Sequence, residues 1–244
     1  MLEITYNFSH FAIAAVVTLA ASAVQGTLGF GFGLLSVGVL RLVHPDLAPV
    51  PQMVVSLVLV VLLARRERSA IQWHEVLWVS QGRLLGAALG AVLLGFASAR
   101  LLDGVLGTLM LAAVAVMLLG AQVPFTPKSL RVAGVVSSFA GVVSAVGGPP
   151  LAVVYASVTG PRLRATLSSH FFVGMVLSLV ARWFADALPG AQVGLGIALL
   201  PFAVVGYRLS SWLKDHLQPH QLRTGILGLV VLSAGSLLVR ALTG

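Results

Sequence analysis

Six uninterrupted apolar runs, at 47–64, 74–97, 101–121, 165–182, 190–207 and 221–241, limit what this chain can become. Each is near the roughly 20 residues that an α-helix needs to cross a hydrocarbon layer. Only 9% of the 244 residues are charged and 58% are hydrophobic, whereas a soluble domain carries roughly 25% charge. A soluble fold of this size has nowhere to hide so much apolar surface. The chain therefore reads as an all-α integral membrane protein lying in a lipid bilayer. Its formal net charge of +8 reads as topology signals facing anionic lipid, not as a nucleic-acid surface. There is no cysteine, hence no disulfide framework and no thiolate chemistry.

Two further apolar regions are interrupted. Residues 11–43 contain "QGTLGFGFG", and residues 131–159 contain "SAVGGPP". The pieces on either side run to about ten to fifteen residues, too short to stand upright across a bilayer at about 1.5 Å per residue. Each region is either one kinked span or a re-entrant pair of half-helices. The basic residues discriminate. With re-entrant pairs, Arg65, Arg66, Arg68, Lys128, Arg131, Arg162, Arg164, Arg208, Lys214 and Arg223 face one side. Arg41, Arg100, Arg182 and Arg240 face the other, which makes ten against four. Kinked spans give seven against seven. A cytoplasmic excess is the rule, so the re-entrant arrangement is expected, with both termini periplasmic.

The halves echo each other: "LLDGVLG" at 101–107 with "LRTGILG" at 222–228, and "AASAVQGTLG" at 20–29 with "SFAGVVSAVG" at 138–147. The expected organisation is a first transmembrane repeat over 1–121, a cytoplasmic linker over 122–130 and an inverted second repeat over 131–244. Each half would be a re-entrant broken-helix pair plus three transmembrane helices, a transporter pattern.

Irregular backbone at membrane depth is tolerated only where it is buried in protein or lines a cavity. A helix that starts there presents free N–H groups and the positive end of its dipole, which suits an anion. Gly29 in the first break and Gly147 and Gly148 in the second let backbone approach a ligand. Gln25, Gln52, Ser144, Ser169 and His170 offer neutral donors beside the breaks or at span entrances. Arg83 is the one charge well inside a span, and a planar guanidinium suits oxyanions; a structural bond to a backbone carbonyl is the plainer alternative. His170 is either a proton carrier or a hydrogen-bonded core residue. The stripe Gly82, Gly86 and Gly90 reads as helix packing or a dimer face. No acid lies mid-span, no metal-ligand spacing occurs, and "SAVGG" lacks the partners of a nucleophilic serine. No enzyme, cofactor or metal is expected.

The Gly-rich first break, the basic "RRERSAIQW" loop, "GRLLGAALGAVL", "FAGVVSAVGGPPLAVVY" and the "GYRLSSWLKDHLQPHQLRTGILGLVVLSAGSLLV" ending resemble the TauE/SafE family of sulfite exporters over nearly the whole chain. The resemblance implies a bacterial inner-membrane transporter of sulfite or another small sulfur-containing anion, such as an organosulfonate. An anion channel, or a non-transporting membrane subunit, are the rival readings. A homodimer is possible.

Overall fold

The computed structural model describes residues 7–120 and 123–216, with 231–232, 234–236, 238–239 and 242, and no strand occurs among them. The helices are α1 Phe8–Leu28, α2 Phe32–Val43, α3 Val50–Arg66, α4 Trp73–Phe96, α5 Ala99–Leu118, α6 Pro127–Ser144, α7 Gly148–Val154, α8 Gly160–Phe184 and α9 Gly190–His216. Among the described residues, five stretches are long and apolar enough to cross a membrane: α1, Pro45–Arg66, α4, α8 and Gly190–Leu213. The chain is a multi-pass membrane protein. The run at 101–121 forms α5, a helix of 20 residues. The run at 221–241 lies mostly outside the described residues.

The helices flanking the two breaks are unequal, which corrects the expectation of short half-helices on both sides. The first has an arm of 21 residues followed by one of 12. The second has an arm of 18 followed by one of 7. Capping explains the long arms. The Asn7 side chain accepts from the His10 N–H and starts α1 before the apolar run. Thr126 caps the Ser129 N–H, and Pro127 takes the first helical position, so α6 begins four residues ahead of 131. At the far end, "QGT" is still helical, and Thr27 Oγ1 donates to the Ala23 carbonyl at 2.9 Å.

Packing is closest where small residues let backbones touch. α4 lies along α6, with Gly82 and Gly86 against the carbonyls of Arg131 and Val135, and Gly134 against that of Val79. The glycine stripe is therefore a helix-packing surface. α1 lies along α9 in the same manner, with Gly206 against the Leu19 carbonyl and Gly26 against Ser210. α3 and α8 pack against each other between these pairs.

The ends of the helices sort onto two faces. On one, Glu67 after α3 pairs with Arg164 at the start of α8, and Arg66 reaches Ser210 near the end of α9. On the other, Arg41 at the end of α2 pairs with Asp103 at the start of α5, and Asp46 accepts from Gln192 at the start of α9. His10 at the start of α1 lies against His44, just after α2, with ring centroids 5.3 Å apart. Phe125, before α6, lies against Tyr155, just after α7, at 5.2 Å.

Candidate functional site

The first break forms where Gly29 and Gly31 adopt φ of +88° and +110°, a region that side-chain-bearing residues rarely enter. The Gly29 N–H closes α1 on the Gln25 carbonyl at 2.7 Å. The Gln25 side chain then turns across the gap, where its Oε1 accepts from the Phe32 N–H at 3.1 Å. One residue thus ends α1 and caps α2. The next two N–H groups of α2, those of Gly33 and Leu34, belong to a first turn and have no partner within the helix.

The second break turns at Ala145, whose φ is +59°. Ser144 stabilises the turn by donating to the Ala140 carbonyl at 2.7 Å and accepting from the Val146 N–H at 3.3 Å. Ser137, two turns back on α6, donates to the Gly147 carbonyl at 2.5 Å. Arg83 Nη2 donates to Ser137 Oγ at 3.2 Å, and the guanidinium lies against Gly174 of α8. Pro149 and Pro150 occupy the first turn of α7, where a missing N–H breaks no helical bond.

The two breaks meet. The Gly33 Cα is so close to the Ala145 carbonyl that no Cβ would fit. Beside that contact is a cavity of about 30 Å³ lined by Gln25, Gly31, Gly33, Leu34 and Ser56 on one side. Ala145 to Gly148, Phe171 and Met175 line the other side. Among the described residues no carboxylate lines it, and Gln25 is only 3% exposed.

Of the sequence-predicted site residues, Gln25, Gly147 and Gly148 line this cavity. Gly29 is at the first break but packs against Arg164. Gln52 bridges Thr18 and the Leu47 carbonyl, at 3.4 Å each. Ser144 is engaged in the turn. Ser169 Oγ donates to the Ala165 carbonyl at 3.0 Å within its own helix. His170 Nε2 is 2.8 Å from the Tyr155 hydroxyl. Arg83 stands one residue removed, touching the second break through Ser137.

Sequence reasoning missed Ser56, one helical turn beyond Gln52 and therefore on its face of α3. It also missed Glu75, which reads as a loop acid but is wholly buried. Glu75 accepts from Arg162 at 2.6 Å and from Tyr155 at 2.8 Å. No group of three or more metal-ligating side chains occurs among the described residues.

A polytopic helical bundle, with two interrupted helices meeting over a cavity that no carboxylate lines among the described residues, has the architecture expected of a membrane solute carrier. The sequence narrows this class: residues 13–237 match the family Sulfite exporter TauE/SafE, and the chain belongs to that family. No match was found among curated proteins or among solved structures.

Proposed function

We propose that this protein moves a small sulfur-containing anion, sulfite or an organosulfonate, across a bacterial inner membrane by alternating access. The anion is held between the two breaks. The observation that carries this reading is the cavity where the breaks meet. Its wall combines the first-turn N–H groups of α2 with the Gln25 amide and the Ser56 hydroxyl, all suited to an anion, and contains no acid. A volume of about 30 Å³ holds about one or two waters. An oxyanion enters only when the breaks part, and such parting is what alternating access requires.

The reading takes each interrupted pair as re-entrant. The ring contacts His10–His44 and Phe125–Tyr155 support this, since entry and exit residues lie side by side. It also takes the halves as inverted repeats. Three pairs of matching contacts support that. α1 lies along α9 as α6 lies along α4. Arg66 of α3 donates to the Gly26 carbonyl near the end of α1, and Arg182 of α8 donates to the Val142 and Val143 carbonyls near the end of α6, all at 2.8 Å. Glu75, third in α4, meets Tyr155 after α7, and Gln192, third in α9, meets Asp46 after α2.

The test is transport of labelled sulfite and of a sulfonate in proteoliposomes. Saturable uptake or efflux is expected, with Gln25→Ala and Arg83→Ala each losing most of it. Undiminished transport in both variants would remove these residues from the mechanism. A conductance that rises linearly without saturating would make the protein a channel.

A further inference from the structure

A second cavity, of about 160 Å³, lies at the face that carries the α2–α3, α4–α5 and α8–α9 connections. Arg41, Asp103, Arg182 and Gln192 line it, as does Val143, two residues before the second break. Its charges do not balance. Arg41 Nε donates to Asp103 at 2.7 Å, and its Nη1 donates to the carbonyls of Pro45 and Ala48. Arg182, 5% exposed, donates only to the carbonyls of Val142, Val143 and Ala187 among the described residues. The lining thus holds two guanidinium groups and one carboxylate, a balance of one positive charge. Asp46 is outside the lining and accepts from Gln192 at 2.9 Å. A guanidinium carries five N–H donors, so the three bonds made by Arg182 leave two. Arg182, a buried cation without a counter-ion among the described residues, faces a space this large and favours an anion in it.

We propose that this cavity is a second anion site, a vestibule where Arg41 and Arg182 take a small inorganic oxyanion next to the second break. The proposal rests on the transport reading, because Val143 is in the wall and places the vestibule beside the central site. It differs in chemistry from that site: the central cavity offers neutral donors, whereas the vestibule offers net charge. Asp103 tunes the vestibule by neutralising one of its two arginines.

The test is calorimetric titration of the full-length protein in nanodiscs with sulfite and with sulfate, for wild type, Asp103→Asn and Arg41→Gln. Asp103→Asn is expected to bind about tenfold more tightly and Arg41→Gln about tenfold more weakly, each tenfold corresponding to about 1.4 kcal/mol. Damage to the fold would weaken both, so opposite signs identify the site. Unchanged affinities, or changes in the same direction, overturn it. Should a variant fail to fold, phenylglyoxal labelling of Arg41 in the wild-type protein decides the matter: saturating sulfite slows it if the site exists, and unslowed labelling overturns the site. Transport separates the two readings. Opposite shifts in affinity in a protein that moves no sulfite retain the vestibule and retire the transporter. Saturable transport without those shifts does the reverse.

Discussion

The two breaks perform one task, ending a helix within the bundle and starting another, with different chemistry. The first relies on backbone freedom at Gly29 and Gly31 and on one side chain, Gln25, reaching ahead to cap α2. The second turns at an alanine, uses prolines to avoid stranded N–H groups, and is braced from behind by Ser137 and Arg83. The first break thus keeps the first-turn residues Gly33 and Leu34 of α2, with their N–H groups, at the cavity, while the second gives up two N–H groups to its prolines. The cavity between them is therefore lined asymmetrically, even though the helices around it pair their contacts across the two halves.

The largest expected effect on transport tests where the breaks touch. In Gly33→Ala the new methyl group collides with the Ala145 carbonyl, a backbone atom with no freedom to swing aside. Overpacking of this kind costs about 1–3 kcal/mol, and transport should fall well below half of wild type. The matching change on the second break, Gly148→Ala, meets only the Phe171 ring at 3.7 Å and the Phe30 Cβ at 3.9 Å, ordinary contacts. Its melting temperature should stay near wild type. Equal loss in both variants would erase the distinction between a tight and a loose side.

The bracing is tested next. Ser137→Ala removes the donor to the Gly147 carbonyl and the acceptor for Arg83 at once. Leaving buried polar groups unpaired costs roughly 1–3 kcal/mol per group, so thermal unfolding should shift clearly downward. Gln25→Leu removes a cap from α2 and should cost about 1 kcal/mol. Its transport loss should be out of proportion to its stability loss, because Gln25 also lines the cavity. If Ser137→Ala proves the milder change for stability, the second break is not held from behind.

Much of this architecture is legible in the sequence because lipid leaves few options. Four of the six apolar runs, 47–64, 74–97, 165–182 and 190–207, coincide with stretches long and apolar enough to cross a membrane, and the Gly and Pro clusters mark both interruptions. The arm lengths are not legible in the same way. They depend on Asn7 and Thr126, caps that lie outside the apolar runs. The lining of the cavity is legible at Gln25, Gly147 and Gly148, which adjoin the interruptions. It is not legible at Ser56, which reaches the cavity through the placement of α3. Nor is it legible at Glu75, whose burial depends on Arg162 and Tyr155, 87 and 80 positions away. Arg83 stands out as a charge within a span, but only the fold shows that it meets the break through Ser137.

The smallest expected effect concerns Ala145 itself. A left-handed conformation costs an L-residue about 1–2 kcal/mol, and Ala145→Gly relieves it. The substitution also frees the unfolded chain, which offsets the gain by roughly 0.5–1 kcal/mol. The two terms nearly cancel, so melting should rise by at most a few degrees and transport should persist. Gly31→Ala places a methyl group at a φ of +110° and gains nothing in return. There the same two terms act with opposite signs, and strain dominates because this conformation is less favourable for alanine than that of residue 145. A stabilised Ala145→Gly beside a destabilised Gly31→Ala is therefore expected from thermal melts. If Ala145→Gly instead lowers stability by more than the unfolded-chain term allows, the alanine methyl is itself a contact holding the second break in place.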